Sequence, residues 1–547
     1  MREQLTPLQM FYHWESKSPD ATWLHSPENR SWNTLSWKQA GEMVRRIANG
    51  ITAMDLPAGS KIAILSKNSA YWYICDLAIM MSGHISVPAF TTMDNTGTSN
   101  LLKDSETRVM FVGPSENWQS VKNIVPEDIK LISLPGAELG HAWASFDQLL
   151  EQHPPLEGNP TPKPEELCTI IYTSGTTGMP KGVMHSHSSL AGAGQCMIST
   201  YRTGNEDRFI SFLPLSHIFE RAVLMQSLAC GGQVFFNESL ETFTEDMQYC
   251  KPTWFCAAPR IWQKFQQAVA AKLGEDKIAA MLQDPTSKLQ LTQLVQASLG
   301  LDKARILITG GGQTPKMLYD WYEQFDMPLC DIYGMTEAAP ATSNVPWCRK
   351  KGTVGKPVPG AEVKISDQGE ILTRTPCMTS GYYNNPGKSA EDLAGGWMHT
   401  GDQGEIDQEG FLKVTGRIKE IFKTAKGKYV APSKIENKIA PPPFVENLCL
   451  VGAGLPATVL IVNLSEASTD NDEIESTLKN YMDAINQQLE KHEKMSHIIV
   501  TRAPWTIQNG LLTHTTKIKR AAIEAKYQDL VTKASEKYPS GSIVFED

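Results

Sequence analysis

The stretch that most constrains this 547-residue chain reads IIYTSGTTGMPKGV, residues 170–183. Residues 167–172 form a short apolar run with the look of a buried strand. The run breaks into Thr173, Ser174, Gly175, Thr176, Thr177 and Gly178, closed by Met179, Pro180 and Lys181. Glycines let backbone N–H groups turn toward an anion, hydroxyls add donors and a lysine adds positive charge. That is the chemistry of a phosphate cradle. It is not the Walker arrangement: Pro180 stands where a second glycine would, and Gly182 where a Ser or Thr would hold magnesium. On the residues alone, such a cluster is more often a polar surface loop.

The length allows about three or four domains' worth of chain and large buried cores. Hydrophobic residues make up 41% and charged residues 20%, the balance of a soluble globular protein. With 51 basic against 60 acidic residues the net charge is −9, so a general nucleic-acid-binding surface is not expected. The 10 cysteines include no C-x-x-C pair. Neither a zinc site nor a disulfide framework is indicated, and a reducing cytoplasm is expected. The N-terminus lacks the apolar core of a signal peptide. Residues 71–90 are the most apolar, but Asp76, Ser82, Gly83 and His84 interrupt them. No membrane span is expected, and peripheral membrane contact stays open.

Residues 1 to about 165 alternate helical and strand-like patterns: helices over 37–54 and 70–82, strands over 61–66, 85–90 and 108–112. This alternation predicts an α/β fold with mainly parallel sheet. Five prolines in residues 154–164 mark a connector into the glycine-rich loop. Residues 209–222, FISFLPLSHIFERA, run from a strand through Pro214 to His217. Residues 304–309 form a strand that ends in Gly310, Gly311 and Gly312, where a flat ligand could approach the main chain. Ser433 and Glu436 have the spacing of a helix capping box, and residues 473–492 read as an amphipathic helix.

The glycine-rich loop resembles the signature of the adenylate-forming superfamily of acyl-CoA synthetases, peptide-synthetase adenylation domains and luciferases. Further segments follow in that family's order over nearly the whole chain: PLSHIFER (214–221), DIYGMTE (331–337), GEILTRT (369–375), SGYYNNP (380–386), TGDQGEID (400–407) and NGLLTHTTKIKR (509–520). The resemblance implies a large N-terminal lobe of parallel and mixed sheets flanked by helices, residues 1–418. A small α+β lobe, residues 419–547, would follow and rotate about a hinge at Lys419.

It also implies the site. Thr173 to Gly178 and Lys181 would grip the β- and γ-phosphates of ATP. Gly311, Gly312, Gln313, Asp331, Ile332, Tyr333 and Gly334 would receive adenine, with the Tyr333 ring for stacking. Thr336 would meet the α-phosphate, and Glu337 with Thr176 would hold Mg2+. Asp402 and Arg417 would take the ribose, and His217 would sit beside the incoming carboxylate, with Ile218, Phe219 and Met225 beyond it. Lys517 aligns with the family's catalytic lysine, next to Lys519 and Arg520 as solvated neighbours. Gly427, amid Lys423, Lys426 and Lys428, belongs to a basic loop that serves coenzyme A as second substrate.

The implied activity is ATP-dependent activation of a medium- or long-chain fatty acid to acyl-AMP and then acyl-CoA. Transfer of the acyl group to a carrier protein or another nucleophile is the alternative. Partners would be small molecules, in a monomer or homodimer.

Overall fold

The computed structural model describes residues 5–173, 180–436, 438, 441–465, 470–514 and 516–546. Its larger lobe is built around three sheets whose central parallel strands are mostly buried. In the first, Thr107–Val112, Lys61–Leu65, Ile85–Ala89 and Leu167–Thr173 run parallel in that spatial order. Lys61–Leu65 and Ile85–Ala89 are almost wholly buried, as parallel strands covered by helices on both faces must be. The pattern turns antiparallel at one edge. Lys181–Ser186 pairs with Leu167–Thr173, with Thr173 opposite Lys181, and Gly381–Tyr382 then pairs with Lys181–Ser186. The strands on either side of the glycine-rich loop are therefore antiparallel neighbours, and residues 174–179 lie outside the described residues.

A second sheet joins Arg208–Ser211, Gln233–Phe236 and Thr22–Glu28 in parallel, with Ser31–Ser36 antiparallel at its edge. The third holds Trp254–Ala257, Ile306–Gly310 and Leu329–Tyr333 in parallel, so the adenine-type glycines and Tyr333 leave neighbouring strand ends. Placing ligand residues at such strand ends is general for open α/β sheets. An antiparallel sheet of Glu362–Ile365, Glu370–Arg374, Met398–Ile406 and Leu412–Arg417 completes this lobe. The helices His187–Tyr201 and Ile218–Cys230 pack closely because the first carries glycine at the contact. A Cβ on Gly194 would lie 2.3 Å from the Met225 carbonyl oxygen.

The smaller lobe is a four-stranded sheet, Val445–Val451, Thr458–Leu464, Met495–Thr501 and Ser542–Phe545. Thr458–Leu464 is buried on both faces. Leu460 and Val462 pack on the helix Asn471–Asn486, while Val459 and Ile461 pack on the helix Arg520–Lys537. The first helix ends earlier than its sequence pattern suggests, and Asp470 caps its start by accepting from the Asp472 and Glu473 N–H groups. Ser433 and Glu436, expected as a capping box, take other places. Ser433 lies inside the short helix Pro432–Glu436, and the Glu436 carboxylate turns to Arg520 and the Leu450 N–H.

Inside the larger lobe one ion pair is fully enclosed. Arg221 Nη1 stands 2.7 Å from Asp76 Oδ1, and both side chains are 1% exposed. The guanidinium lies 5.1 Å from the centre of the Trp72 ring, and the Ser86 hydroxyl donates to Asp76 at 2.6 Å. Removing one partner leaves a buried charge without its counter-ion, which costs about 3–5 kcal/mol. Asp76→Asn should lower the unfolding free energy of the larger lobe by that amount in denaturant titrations. The paired apolar replacement Asp76→Leu/Arg221→Met should be milder. Equal losses in the two variants would show that charge enclosure is not what the pair contributes.

Candidate active site

Lys181 begins the strand Lys181–Ser186, and its Nζ lies 3.8 Å from Asp392 Oδ2. Thr173, at the end of the preceding strand, is half-buried. Ser174, Gly175, Thr176, Thr177 and Gly178 lie outside the described residues. Glu337 is buried, and the Tyr382 hydroxyl donates to its Oε1 at 2.9 Å. Burial pushes its carboxyl above the ordinary range, opposed by its own N–H, by Tyr382 and by the Lys181 charge. The turn that carries it is anchored from below. His185, held neutral by burial that lowers it to about 4, bonds the Thr336 carbonyl through Nε2 at 2.9 Å and Ser189 through Nδ1 at 2.9 Å. A carbonyl only accepts, so the proton is assigned to Nε2. Thr336 is buried beside this anchor.

Among the described residues no group of three or more His, Cys, Asp or Glu could hold a metal ion. One hard carboxylate beside a lysine suits Mg2+, which keeps few protein ligands and shares phosphate oxygens with a substrate.

Tyr333, Asp402 and Arg417 form the second part of the site. Tyr333 donates its hydroxyl to Asp402 Oδ2 at 2.8 Å, and Arg417 Nε lies 3.0 Å from Asp402 Oδ1. Asp402 and Arg417 are direct partners on antiparallel strands, so backbone register fixes their pairing. Burial raises the Asp402 carboxyl, while Arg417, Tyr333 and Lys517 work against the rise. Arg417 is raised mainly by Asp402, and it feels the Glu337 charge as well, which links the two parts.

Around them, Gly311, Gly312 and Gln313 are exposed, with Gly311 at φ +77°. Ile332 is buried and Gly334 exposed. The Asp331 carboxylate turns away into the sheet, accepting from the Tyr319 hydroxyl at 2.6 Å. Burial lifts it to about 7, so its side chain serves the core and only its main chain is left for a ligand.

Lys517 comes from the smaller lobe. It sits on a tight turn in which Thr513 N–H bonds the Lys517 carbonyl at 2.7 Å and Thr516 adopts φ +57°. That left-handed position favours glycine, so Thr516 is held there against its steric preference. Loss of hydration lowers the Lys517 ammonium, Arg417 adds to the fall, and Asp402 opposes it. The lobe's contact is made nearby, where His514 stacks on Phe90 with centroids 5.4 Å apart and Arg260 pairs with Glu446.

His217 caps the helix Ile218–Cys230, its Nδ1 accepting from the Phe219 N–H at 3.2 Å. Burial first, then the Lys517 charge, lowers its imidazole to about 4. It is therefore neutral near pH 7 and carries its proton on Nε2.

Other expected residues lie apart from this cluster. Lys419 is exposed in the single turn Ile418–Glu420. Gly427, at φ +75°, closes the hairpin of Phe422–Lys423 and Tyr429–Val430. Arg520 is not a solvated neighbour of Lys517. Its side chain is 9% exposed, forms a two-pronged pair with Glu436 at 2.7 and 2.8 Å, and donates to the Leu450 carbonyl. Sequence reasoning also passed over Glu220, in the same motif as His217. It is enclosed, and burial pushes its carboxyl up to about 8.

Residues 11–383 match the AMP-binding enzyme family, and residues 419–538 match the AMP-binding enzyme C-terminal domain. The chain is 29% identical to fatty acyl-CoA synthetase A of Dictyostelium discoideum, over 91% of this chain and 85% of that protein. It is 27% identical to the long-chain-fatty-acid–CoA ligase FadD15 of Mycobacterium tuberculosis, over 95% of each. Among solved structures, the A-PCP didomain of carboxylic acid reductase from Segniliparus rugosus, in complex with AMP, superposes with a TM-score of 0.83 at 22% identity. That match covers 98% of this chain and 83% of the other. The anthranilate CoA ligase AuaEII, in complex with anthranoyl-AMP, gives 0.79 at 21% identity, covering 96% and 98%.

An unfolded histidine binds its proton near pH 6.5, whereas folded His217 binds it only near 4. The unfolded state therefore takes up more protons between these values, and stability falls as pH drops through 6.5 toward 4. Above 6.5 His217 contributes no pH dependence. His217→Asn keeps an N-cap acceptor that does not titrate. It should recover about 1–2 kcal/mol of the wild-type stability lost between pH 7.5 and pH 5. An identical loss in the variant would show that His217 titrates normally.

Proposed function

The chain belongs to the AMP-binding enzymes, and from that premise we propose that it is an ATP-dependent acid–thiol ligase for medium- or long-chain fatty acids, with coenzyme A as acceptor. The observation that carries this reading is the pairing of Asp402 with Tyr333 and Arg417, with Lys517 of the smaller lobe near enough for its charge to act on both Asp402 and Arg417. A nucleotide-sized set of contacts and a cation from a second lobe suit adenylate formation better than simple nucleotide binding. The fatty acid and coenzyme A are taken from the names of the relatives, which favour a free thiol over a carrier protein.

A carboxylate is a poor acyl donor because its oxide is a poor leaving group. In the first half-reaction an oxygen of the acid attacks the α-phosphorus of ATP. The bond to the bridging oxygen breaks, and pyrophosphate leaves acyl-AMP behind. Asp402 receives the ribose hydroxyls: Oδ2 accepts from Tyr333, Oδ1 pairs with Arg417, and each oxygen has a lone pair to spare. Lys181 draws the outer phosphates. His217 offers its Nε2 proton to the acid, and Lys517 neutralises charge growing on the attacking and bridging oxygens. Positioning and electrostatics do most of the work in such phosphoryl chemistry. Mg2+, held by Glu337 and Thr176, would supply further neutralisation of phosphate oxygens.

In the second half-reaction the thiolate of coenzyme A attacks the acyl carbonyl and AMP departs. The two lobes divide at 418/419, and rotation about Lys419 withdraws Lys517 and brings up the loop of Lys423, Lys426, Gly427 and Lys428. None of the described helices is long and apolar enough to cross a membrane. All ten cysteines are free thiols, which supports a reducing, cytoplasmic setting.

A panel of acids from acetate to stearate, with ATP, Mg2+ and coenzyme A, should give thioesters with the longer chains; thioesters of short acids alone would overturn the substrate class. Lys517→Ala should slow adenylate formation about a hundred- to a thousand-fold, while thiolysis of supplied acyl-AMP largely survives. Equal loss of both half-reactions would contradict its role. Lys419→Pro, which fixes φ at the pivot, should spare adenylation and impair thiolysis; unchanged thioester formation would remove the hinge.

A further inference from the structure

Behind Lys181 and Glu337 lies a segment with no part yet in the chemistry, the strand Gly381–Tyr382 and the helix Pro386–Asp392. Its backbone is joined to both residues. Gly381 and Tyr382 pair with Met184 and Val183 on the strand that Lys181 begins, and Tyr383 N–H donates to the Gly182 carbonyl at 2.8 Å. Thr379 N–H donates to the Glu337 carbonyl at 2.7 Å.

The side chains repeat the link. Tyr382 is 3% exposed, and its hydroxyl stands 2.9 Å from Glu337 Oε1 and 2.9 Å from Asp392 Oδ2. Lys181 Nζ lies 4.9 Å from the centre of the same ring. Its distance to Asp392, 3.8 Å, is too long for a hydrogen bond but short enough for attraction. The other Asp392 oxygen is taken by Lys388 at 2.7 Å.

We propose that Tyr382 and Asp392 are positioning residues that aim Glu337 and Lys181 at a metal-bound triphosphate, and that Lys388 keeps Asp392 from capturing Lys181. A buried carboxylate with one hydroxyl on it has its orientation fixed, the usual office of groups behind a metal ligand. A lysine stem has many rotamers; the Tyr382 ring below and the Asp392 charge beside it restrict them. The long separation matters. A tight Lys181–Asp392 pair would have to break before phosphate could bind, whereas a loose one releases the amine readily. Lys388 maintains that looseness by satisfying Asp392 from the other side. The inference rests on the reading of Lys181 and Glu337 as phosphate and metal contacts.

The test is calorimetric titration of the full-length protein with AMP, and with a non-hydrolysable ATP analogue in Mg2+ or in EDTA. AMP is gripped through Tyr333 and Asp402, so it serves as the internal control. Tyr382→Phe keeps the ring but loses the hydroxyl. It should reduce the gain in analogue affinity brought by Mg2+ about ten- to a hundred-fold, with AMP affinity within two-fold of wild type. Lys388→Met should weaken the analogue several-fold with or without Mg2+, and adding Asp392→Asn should recover part of that loss, because it removes the capture along with the positioning charge.

Parallel loss of AMP and analogue affinity, or no change in the analogue, overturns the positioning role. If Tyr382→Phe fails to fold, the Lys388→Met pair decides. A wild-type protein that binds the analogue equally in Mg2+ and EDTA would overturn the underlying reading of Glu337; a wild type that responds, with a variant that matches it, overturns the positioning role alone.

Discussion

Asp402 is the constraint from which the rest of the site follows. Its carboxylate is buried, yet it is surrounded by Arg417, Tyr333 and the Lys517 charge. Arg417 reaches it through strand register, Tyr333 from the end of a different sheet, and Lys517 from a different lobe. Tyr333 and Arg417 each meet one of its oxygens, and Lys517 acts on it through charge. A carboxylate so placed needs cationic and hydrogen-bonded company to stay charged, and that company is what a nucleotide site must contain. The electrostatic need of one residue and the assembly of the site are the same fact.

The larger lobe meets that need with a stiff interior. Asp76 and Arg221 join two helices across an apolar core, and the second helix is the one His217 caps. Asn68 holds the segment that leads to His217, donating to Ser211 Oγ and the Leu213 carbonyl and accepting from the Leu215 N–H. His185 does the same for the Thr336 turn. Preorganised dipoles of this kind contribute most where water is scarce and charge develops suddenly.

Much of this architecture was legible in the sequence, for physical reasons that differ by residue. The strand Lys61–Leu65 and the helix Ala70–Met81 follow from apolar runs with clear boundaries, the helix broken only by Asp76. Thr336, Glu337, Asp402 and Lys517 lie in short motifs whose chemistry is local. The misreadings were of long-range choices. Glu436 has the spacing of a cap, but Arg520, 84 residues away, offers a charge-assisted partner and takes it. Arg520 reads as a solvated neighbour of Lys517, but that same pairing encloses it. Tyr382, Asp392 and Glu220 gave no signal of their own, because what they do depends on which distant groups the fold places against them.

The central claim is that a carboxylic acid is made reactive by bonding one of its oxygens to the α-phosphorus of ATP. Isotope tracing tests it directly. A long-chain acid labelled with oxygen-18 in both carboxyl positions is converted to thioester with ATP and coenzyme A, and the nucleotide product is weighed by mass spectrometry. The account predicts one labelled oxygen in AMP and none in pyrophosphate. Label in inorganic phosphate, with ADP as the nucleotide product, would contradict it.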